Sequence, residues 1–390
     1  MRLTTSDSPK PDNLLDPDHE RTLPCLPGMA WAVPEFSRTK VDAAGDILIR
    51  EFSPIASAGD MSVDDYVDQY EDFQHELTAA LQVINNWRSS HSYPLNALQM
   101  SLRRRVRNMK TAWLVAQRIK RLPAIQLKLR INKGMQLSRM QDIGGCRAVV
   151  STVRMVNHLV STYQGSKSMK HELVRITDYI EKPRPTGYRS VHLIYRHQSE
   201  THQEYNNLRI EMQIRSRLQH AWATAVETIG EFIGQALKSN LGEANWLRFF
   251  QLMSSAIALK EKSAPCPATP PRRADLIKEL RHLTRTLRVE ETLQTFGTLA
   301  ERRVGTAGAD LFLIATNPAR KTVDVTGFPL RESEKAMERY SDTERSFAGT
   351  AGAQVVLVSV DSLEKLRRAY PSYFLESRVF TKALKEALRG

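Results

Sequence analysis

Three- and four-residue steps set the first clear pattern in the chain. Tyr66, Tyr70, Phe73, Leu77, Leu81 and Ile84 form one apolar stripe within residues 62–97, which predicts an amphipathic helix. Pro94 fits the region where that helix stops. A second helix is expected over 98–120. The period then changes. Segments 143–150, 172–180, 190–197 and 206–215 read as short strands, with helices expected over 152–163 and 216–236. In the last strand the alternation is strict: Ile210, Met212 and Ile214 fall on one face, Glu211, Gln213 and Arg215 on the other. This interleaving predicts an α/β (α+β) fold, a mixed β-sheet flanked by helices, over 61–261.

Outside that region the pattern weakens and then returns. Residues 1–60 carry little periodicity and are expected to be poorly structured. Four prolines in 262–273 argue against regular structure, so a linker is expected there. Beyond it, 274–303 reads as helix, and 310–316, 321–328 and 353–360 read as strands. A polar helix is expected over 331–347, and two helices finish the chain. Residues 274–390 are therefore expected to form a separate, smaller α/β domain, and no internal repeat is evident.

Charge changes the picture more than composition does. The chain has 390 residues and a net charge of +13. From Ser101 to Arg147 there are thirteen Lys or Arg and one acid, Asp142, so nearly the whole excess sits in one stretch. A run of that kind repels itself unless an anion is bound, and nucleotide phosphate or RNA backbone would each serve. Cys25, Cys146 and Cys266 are odd in number, far apart and without zinc spacing, which excludes a disulfide framework and predicts a reducing, cytoplasmic setting. No signal peptide and no membrane span are expected.

The chemistry-bearing residues cluster in the same stretch and just after it. Asp142, ahead of Gly144 and Gly145, reads either as a turn residue or as a magnesium ligand, since hard cations prefer carboxylate oxygen. Arg118, Lys120 and Lys128 precede it as candidate phosphate and purine contacts. By strand parity Tyr188, Ser190 and His192 share a face, and Gly187 permits a tight turn before them. A face offering an aromatic ring, an imidazole, the Glu211 carboxylate and the Arg215 guanidinium suits a polar, planar substrate. His220 and Glu227 lie on a polar face of the helix that follows.

The ordered blocks Arg118-Ile119-Lys120, Asp142-Ile143-Gly144-Gly145-Cys146-Arg147, Asp178-Tyr179-Ile180 with Lys182-Pro183-Arg184 and Gly187-Tyr188-Arg189-Ser190-Val191-His192, Glu211-Met212-Gln213-Ile214-Arg215-Ser216, and Trp222-Ala223-Thr224-Ala225 with Glu227 resemble the synthetase domain of RelA/SpoT alarmone synthetases. The resemblance covers roughly 115–235. It implies a nucleotidyltransferase-like synthetase domain that moves the β,γ-pyrophosphate of ATP to the 3′-hydroxyl of GDP or GTP, with Mg2+ as cofactor. It further implies that Arg118 and Arg147 sandwich adenine and that Lys120 and Lys128 hold ATP phosphates. Asp142 binds magnesium, and Glu211 is a second ligand or the base. Tyr188 stacks on the acceptor base, and Lys182, Arg184, His192, Gln213, Arg215, His220 and Glu227 fall on the acceptor side.

The sequence departs from that family in places. Arg184 stands where Lys is usual, His220 where small synthetases often carry Asn, Thr228 where His follows the last Glu, and Ala124 where Ser is common. The His-Asp dyad of the family's hydrolase domain is absent, so no alarmone hydrolysis is expected. Three readings follow: a guanine-nucleotide pyrophosphokinase; a toxin-like relative acting on adenine nucleotides or the 3′ end of tRNA, with Arg103, Arg104, Arg105 and Arg107 gripping RNA; and an inactive nucleotide- or RNA-binding regulator. The expected partners are ATP and a guanine nucleotide, with tRNA as alternative acceptor, a second copy of the chain, a regulatory ligand or protein at 274–390, and no membrane.

Overall fold

The computed structural model describes residues 31–389, apart from 54–61, 110–111, 167–168, 233–236, 238–242, 296–299, 318–319, 321, 348–349, 351–352, 361–363, 365 and 367–377. Its first element corrects an expectation. Residues 31–53 lie inside the stretch read as poorly structured, yet Arg38–Ile49 is a helix, α1. Ser37 caps it by accepting from the Lys40 N–H at 3.3 Å. One stripe of α1, Val41, Ala44 and Leu48, is buried with Val83, Ile84 and Trp87. The stripe is too short to stand out by periodicity, and tertiary packing settles it. The first thirty residues lie outside the described ones.

The long helix α2, Val63–Ser90, starts at Ser62, whose hydroxyl accepts from the Asp65 N–H at 3.0 Å. It is followed at once by α3, Ser92–Asn108. Pro94 therefore does not end a helix. It sits in the first turn of α3, where a missing N–H removes no intrahelical bond. The helix expected over 98–120 stops at 108, and Ala112–Ile119 is a strand, β1. Helix α4, Leu122–Ile131, follows with Pro123 in its first turn. Then come β2 (Gly144–Val150), α5 (Val153–Gln164), β3 (Glu172–Asp178), β4 (Val191–Arg196), β5 (Arg209–Ser216), α6 (Arg217–Phe232) and α7 (Ala244–Glu261).

The remaining elements are α8 (Arg273–Thr286), α9 (Val289–Thr295), β6 (Ala300–Val304), β7 (Leu311–Asn317), β8 (Thr322–Phe328), α10 (Ser333–Ser346), β9 (Gln354–Ser359) and α11 (Arg378–Arg389). Among the described residues the strands form one mixed nine-stranded sheet in the order β3-β4-β5-β2-β1-β9-β7-β8-β6. The pairs β2–β5 and β6–β8 are parallel and the others antiparallel.

Residues 274–390 are thus not a separate body. Strand β9 pairs with β1 through Gln117↔Ser359 and Arg118↔Val358, so the second half continues the first half's sheet. Helices α8, α9 and α11 share a core with α6 and α7, in which Trp246, Phe249 and Phe250 meet Leu280, Leu293 and Phe380. Burying each such aromatic or aliphatic side chain contributes about 1.5–3 kcal/mol. The proline-rich stretch is irregular, as its composition demands, but it is packed. Cys266 is buried, and its backbone N–H donates to Ser255 Oγ at 2.8 Å. Residues 300–303, read as helix, belong to the strand β6, Ala300–Val304, because β8 offers a parallel partner. Among the described residues no helix is long and apolar enough to cross a membrane.

Candidate active site

Two rows of cross-strand neighbours make the floor of a cavity of about 740 Å3, a size that suits a nucleotide-class ligand. In register, Ala116, Arg147, Gln213, His192 and Thr177 form one row across β1, β2, β5, β4 and β3. Arg118, Gly145, Glu211, Ile194 and Arg175 form the next. All ten line the cavity. Residues two apart on a strand share a face, so the pairs 116/118, 145/147, 211/213, 192/194 and 175/177 lie on one surface, most of it polar. The opposite face of β5, Ile210, Met212 and Ile214, is fully buried in the core beneath.

Asp142 enters this floor from the turn before β2. Its carboxylate accepts from Lys120 Nζ at 2.6 Å and Lys128 Nζ at 2.9 Å. Burial alone would raise its pKa, but the two lysines outweigh that and hold the carboxyl well below the usual range. Lys120 is itself pushed down to about 8, by burial first and by Lys128 and Arg118, with Asp142 pulling the other way. Glu211 lies across from Gly145 in register. It accepts from Gln213 Nε2 at 2.7 Å and pairs with His192 Nδ1 at 2.8 Å. Burial works against its ionisation and the nearby Asp142 adds to that, yet the His192 contact wins and the pKa is lowered. The two acids, 69 positions apart in sequence, therefore feel each other's charge in one cavity, both ionised.

His192 links the acid to the tyrosine. With Nδ1–H donated to the Glu211 carboxylate, Nε2 is left to accept from the Tyr188 hydroxyl at 2.8 Å. The Tyr188 ring lines the cavity, half-buried, edge-on to Tyr179 and His192. Burial pushes its hydroxyl up to about 12, so it stays protonated. The turn that presents it needs glycine at 187. There φ is +89°, and a Cβ would stand 2.9 Å from Ser254 Cβ and 3.0 Å from the Trp222 ring. Ser190, which parity put on the same face, turns inward and donates to the Ile214 carbonyl at 3.2 Å.

Not every expected residue reaches the cavity. Arg118, Lys120, Lys128, Asp142, Arg147, Arg184, Tyr188, His192, Glu211, Gln213, Arg215 and Glu227 do. His220 does not: it is buried behind Arg215, whose NH2 lies 2.6 Å from His220 Nδ1. The start of α6 turns that ring inward, so it orients the arginine and leaves the cavity to its neighbour. Lys182 is exposed and outside the lining, although Tyr179 and Arg184 on either side of it are part of that lining. Arg184 does fold back. It donates to the Tyr179 hydroxyl at 2.6 Å and stacks 4.3 Å from that ring's centre.

The arginines expected to grip RNA are placed on α3, away from the cavity. Arg105 is committed inside the fold, donating to the Thr162 carbonyl at 3.1 Å and Ser166 Oγ at 2.9 Å and stacking on Tyr163. Arg103 and Arg104 are half-buried and engaged, which leaves Arg107 exposed. Sequence reasoning missed Arg139, Arg175, Thr177 and Tyr179 in the lining. For Arg175 and Thr177 the signal was present: they share the parity of His192's row on β3. Arg139 ends a single 3-10 turn, Leu137–Arg139, after α4, too short for periodicity to single it out.

Residues 117–229 match the family model described as "Region found in RelA / SpoT proteins". Over 113 residues the chain is 28% identical to the GTP pyrophosphokinase YwaC of Bacillus subtilis (strain 168). That match takes in 27% of this chain and 52% of the relative, so the chain spans about half the length of the curated relative it matches. Among solved structures it is similar to small alarmone synthetase 2 from Bacillus subtilis, at 21% identity and a TM-score of 0.39, covering 45% of this chain and 93% of that one. It is also similar to small alarmone synthetase 1 from Bacillus subtilis bound to its product pppGpp, at 24% identity and a TM-score of 0.33, covering 39% and 75%. The matched span holds every cavity-lining residue but Ala116. The cavity thus belongs to a RelA/SpoT-type domain, which this chain carries over residues 117–229.

Proposed function

We propose that this cavity transfers the β,γ-pyrophosphate of ATP to the 3′-hydroxyl of a guanine nucleotide, GDP or GTP. The observation that carries the reading is the convergence of Asp142 and Glu211, both ionised, with Lys120, Lys128, Arg139 and Arg175 on one nucleotide-sized floor. Such transfer depends on positioning and charge neutralisation more than on covalent help from the protein. The match to RelA/SpoT proteins and the pyrophosphokinase name of the curated relative point the same way.

The donor set fits magnesium. Among the described residues no group of three or more His, Cys, Asp or Glu could hold a metal, so a cage built by protein alone is not on offer. Two neighbouring carboxylates are, and Mg2+ takes one or two carboxylates and completes its shell with phosphate and water oxygens. Asp142 and Glu211 would hold it, and it would supply charge neutralisation at the polyphosphate.

The chain's own residues divide the remaining work. Lys120, Lys128, Arg139 and Arg175 bind phosphate oxygens, and Arg118 and Arg147 flank the adenine. The acceptor 3′-oxygen bonds to the β-phosphorus, the bond from that phosphorus to the α,β-bridging oxygen breaks, and AMP leaves. The hydroxyl proton passes to the Glu211 carboxylate, which His192 orients. Tyr188 stacks on the acceptor base. Glu227, beside Arg215, accepts from the two adjacent N–H groups of a guanine edge, where adenine offers one amino group.

The tRNA alternative draws no support from α3, whose central arginine is spent on α5. Regulation by 274–390 has to be probed with point substitutions, because a cut at 262–273 removes helices that share the core of α6 and α7. The deciding experiment incubates the protein with γ-labelled ATP and GDP, GTP, ADP or deacylated tRNA separately, and resolves products by thin-layer chromatography. Label is expected on GDP and GTP. Label confined to ADP or tRNA overturns the acceptor, and no transfer to any of them overturns the activity in favour of a binding protein.

A further inference from the structure

A fully buried arginine at the end of α2 joins the two halves of the molecule beside the cavity. Arg88 Nε donates to the Lys120 carbonyl at 3.1 Å, and NH1 donates to Asn85 Oδ1 at 2.8 Å. Its other bonds cross to α10. NH2 meets the Tyr340 hydroxyl at 2.6 Å, NH1 meets Glu344 Oε2 at 3.2 Å, and the guanidinium lies 5.0 Å from the centre of the Tyr340 ring. Tyr340 donates in turn to Glu344 Oε1 at 2.8 Å, and that same oxygen accepts the backbone N–H of Leu122 at 3.0 Å.

The knot therefore grips the backbone on both sides of Arg121. The carbonyl of Lys120 goes to Arg88, and the first N–H of α4, at Leu122, goes to Glu344. Lys120 and Lys128 are the two lysines on Asp142, one just before this grip and the other on the helix that starts within it. A second tie lies alongside: β9 pairs with β1 at Arg118, and Gln99 Nε2 donates to the Ser359 carbonyl at 3.3 Å. A side chain whose supporting backbone shifts by about 1 Å loses much of its contribution to a positioned ligand. A charged network built on a fully buried arginine is also sensitive to the loss of any one member.

We infer that Tyr340 and Glu344, from the half of the chain outside the RelA/SpoT-type region, are positioning residues that set Lys120 and Lys128 for the ATP phosphates. The inference rests on the proposed reading of those lysines as phosphate ligands. It gives α10 a task at the site that its distance in sequence does not suggest.

The test uses the full chain and a non-hydrolysable α,β-methylene analogue of ATP in magnesium buffer, with steady-state kinetics and melting curves alongside. Glu344→Ala should weaken analogue binding and raise the KM for ATP by about tenfold, with kcat at saturating ATP within about twofold. Glu344→Gln keeps an oxygen to accept the Leu122 N–H and should restore binding to within about threefold of wild type. Met337→Ala trims the packing of α10 and removes none of the knot's hydrogen bonds; it should lower the melting temperature and leave analogue binding unchanged. Should Glu344→Ala not fold, Tyr340→Phe, which removes one hydroxyl, carries the same expectation at about threefold.

Analogue binding that stays at the wild-type value in Glu344→Ala overturns the inference. So does a loss that Met337→Ala reproduces, or that Glu344→Gln does not relieve. A wild-type protein that fails to bind the analogue overturns the reading of the cavity itself, and is recognised before any variant is made.

Discussion

The two halves of the nine-stranded sheet are built from the same element and put it to different uses. Strands β3, β4, β5, β2 and β1 bury one face and turn charged and polar side chains out of the other, and that second face is the cavity floor. Every residue of β7 is buried, as are Val355–Ser359 of β9. Both faces there pack against apolar neighbours, one against Leu114, Ala116 and Val149 of the first half and the other against α10. Charged and polar side chains at alternate positions thus line the cavity, and an unbroken apolar run marks where the sheet is scaffold.

The largest expected effect breaks the comparison on the cavity side. Asp142→Asn and Glu211→Gln keep volume and shape while removing charge from the floor. Each should lower turnover by about a thousandfold, equivalent to about 4 kcal/mol of barrier. The lost charge-assisted bonds should cost folding only about 1–3 kcal/mol. Turnover assays beside urea unfolding curves separate the two quantities. A variant that keeps a tenth of the wild-type rate would remove that acid from the chemistry.

The converse substitution lies in β7. Ile314 is fully buried between β8 and β9, and Ile314→Ala leaves a cavity in a packed layer. The expected loss is about 3 kcal/mol of stability. Activity per folded molecule should be unchanged, because no side chain of β7 lines the cavity. A fall in kcat under conditions where the variant is fully folded would show that the scaffold half also tunes the chemistry.

The same contrast decides how much of the fold is legible in the sequence. Strand β5 was legible because its alternation is complete over Arg209–Arg215, and its neighbours β2 and β4 because short apolar runs follow glycines or a turn. Strand β1 was not. Ala112–Ile119 follows a helix closely, and its Arg118 with the following Lys120 reads as one more turn of a basic helical face. The pairing with both β2 and β9 is a tertiary fact with no local marker. The same holds for the boundary expected near 262–273: prolines fixed the irregular backbone there, but nothing local announces that β9 joins β1. At the site, residue parity found Glu211, Gln213 and His192. It could not find that His220 turns inward, since a helix face is chosen by what packs behind it.

The smallest expected effect concerns the junction that holds the cavity half together. His91 lies between α2 and α3, buried, with Nδ1 donating to the Trp87 carbonyl at 2.7 Å. It packs against the start of β2 at Gly144, where any Cβ would stand 3.3 Å from His91 Cβ and 2.7 Å from Ile210 Cδ1. Burial lowers its pKa from 6.5 to about 4, the carbonyl contact opposing. Above pH 6.5 the ring is neutral in both folded and unfolded chains and contributes no pH dependence. As pH falls from 6.5 towards 4, the unfolded chain takes up a proton that the folded one refuses, so stability declines across that window. A loss on the order of 1–2 kcal/mol by pH 5 is expected. His91→Gln, which cannot titrate, should flatten that slope without raising stability at pH 7.5. Hydrogen exchange would place the loosening at α2, α3 and the start of β2 ahead of β7 and β9. A scan in which β7 loosens first would mean that the acid-sensitive point lies in the scaffold half and that His91 does not set it.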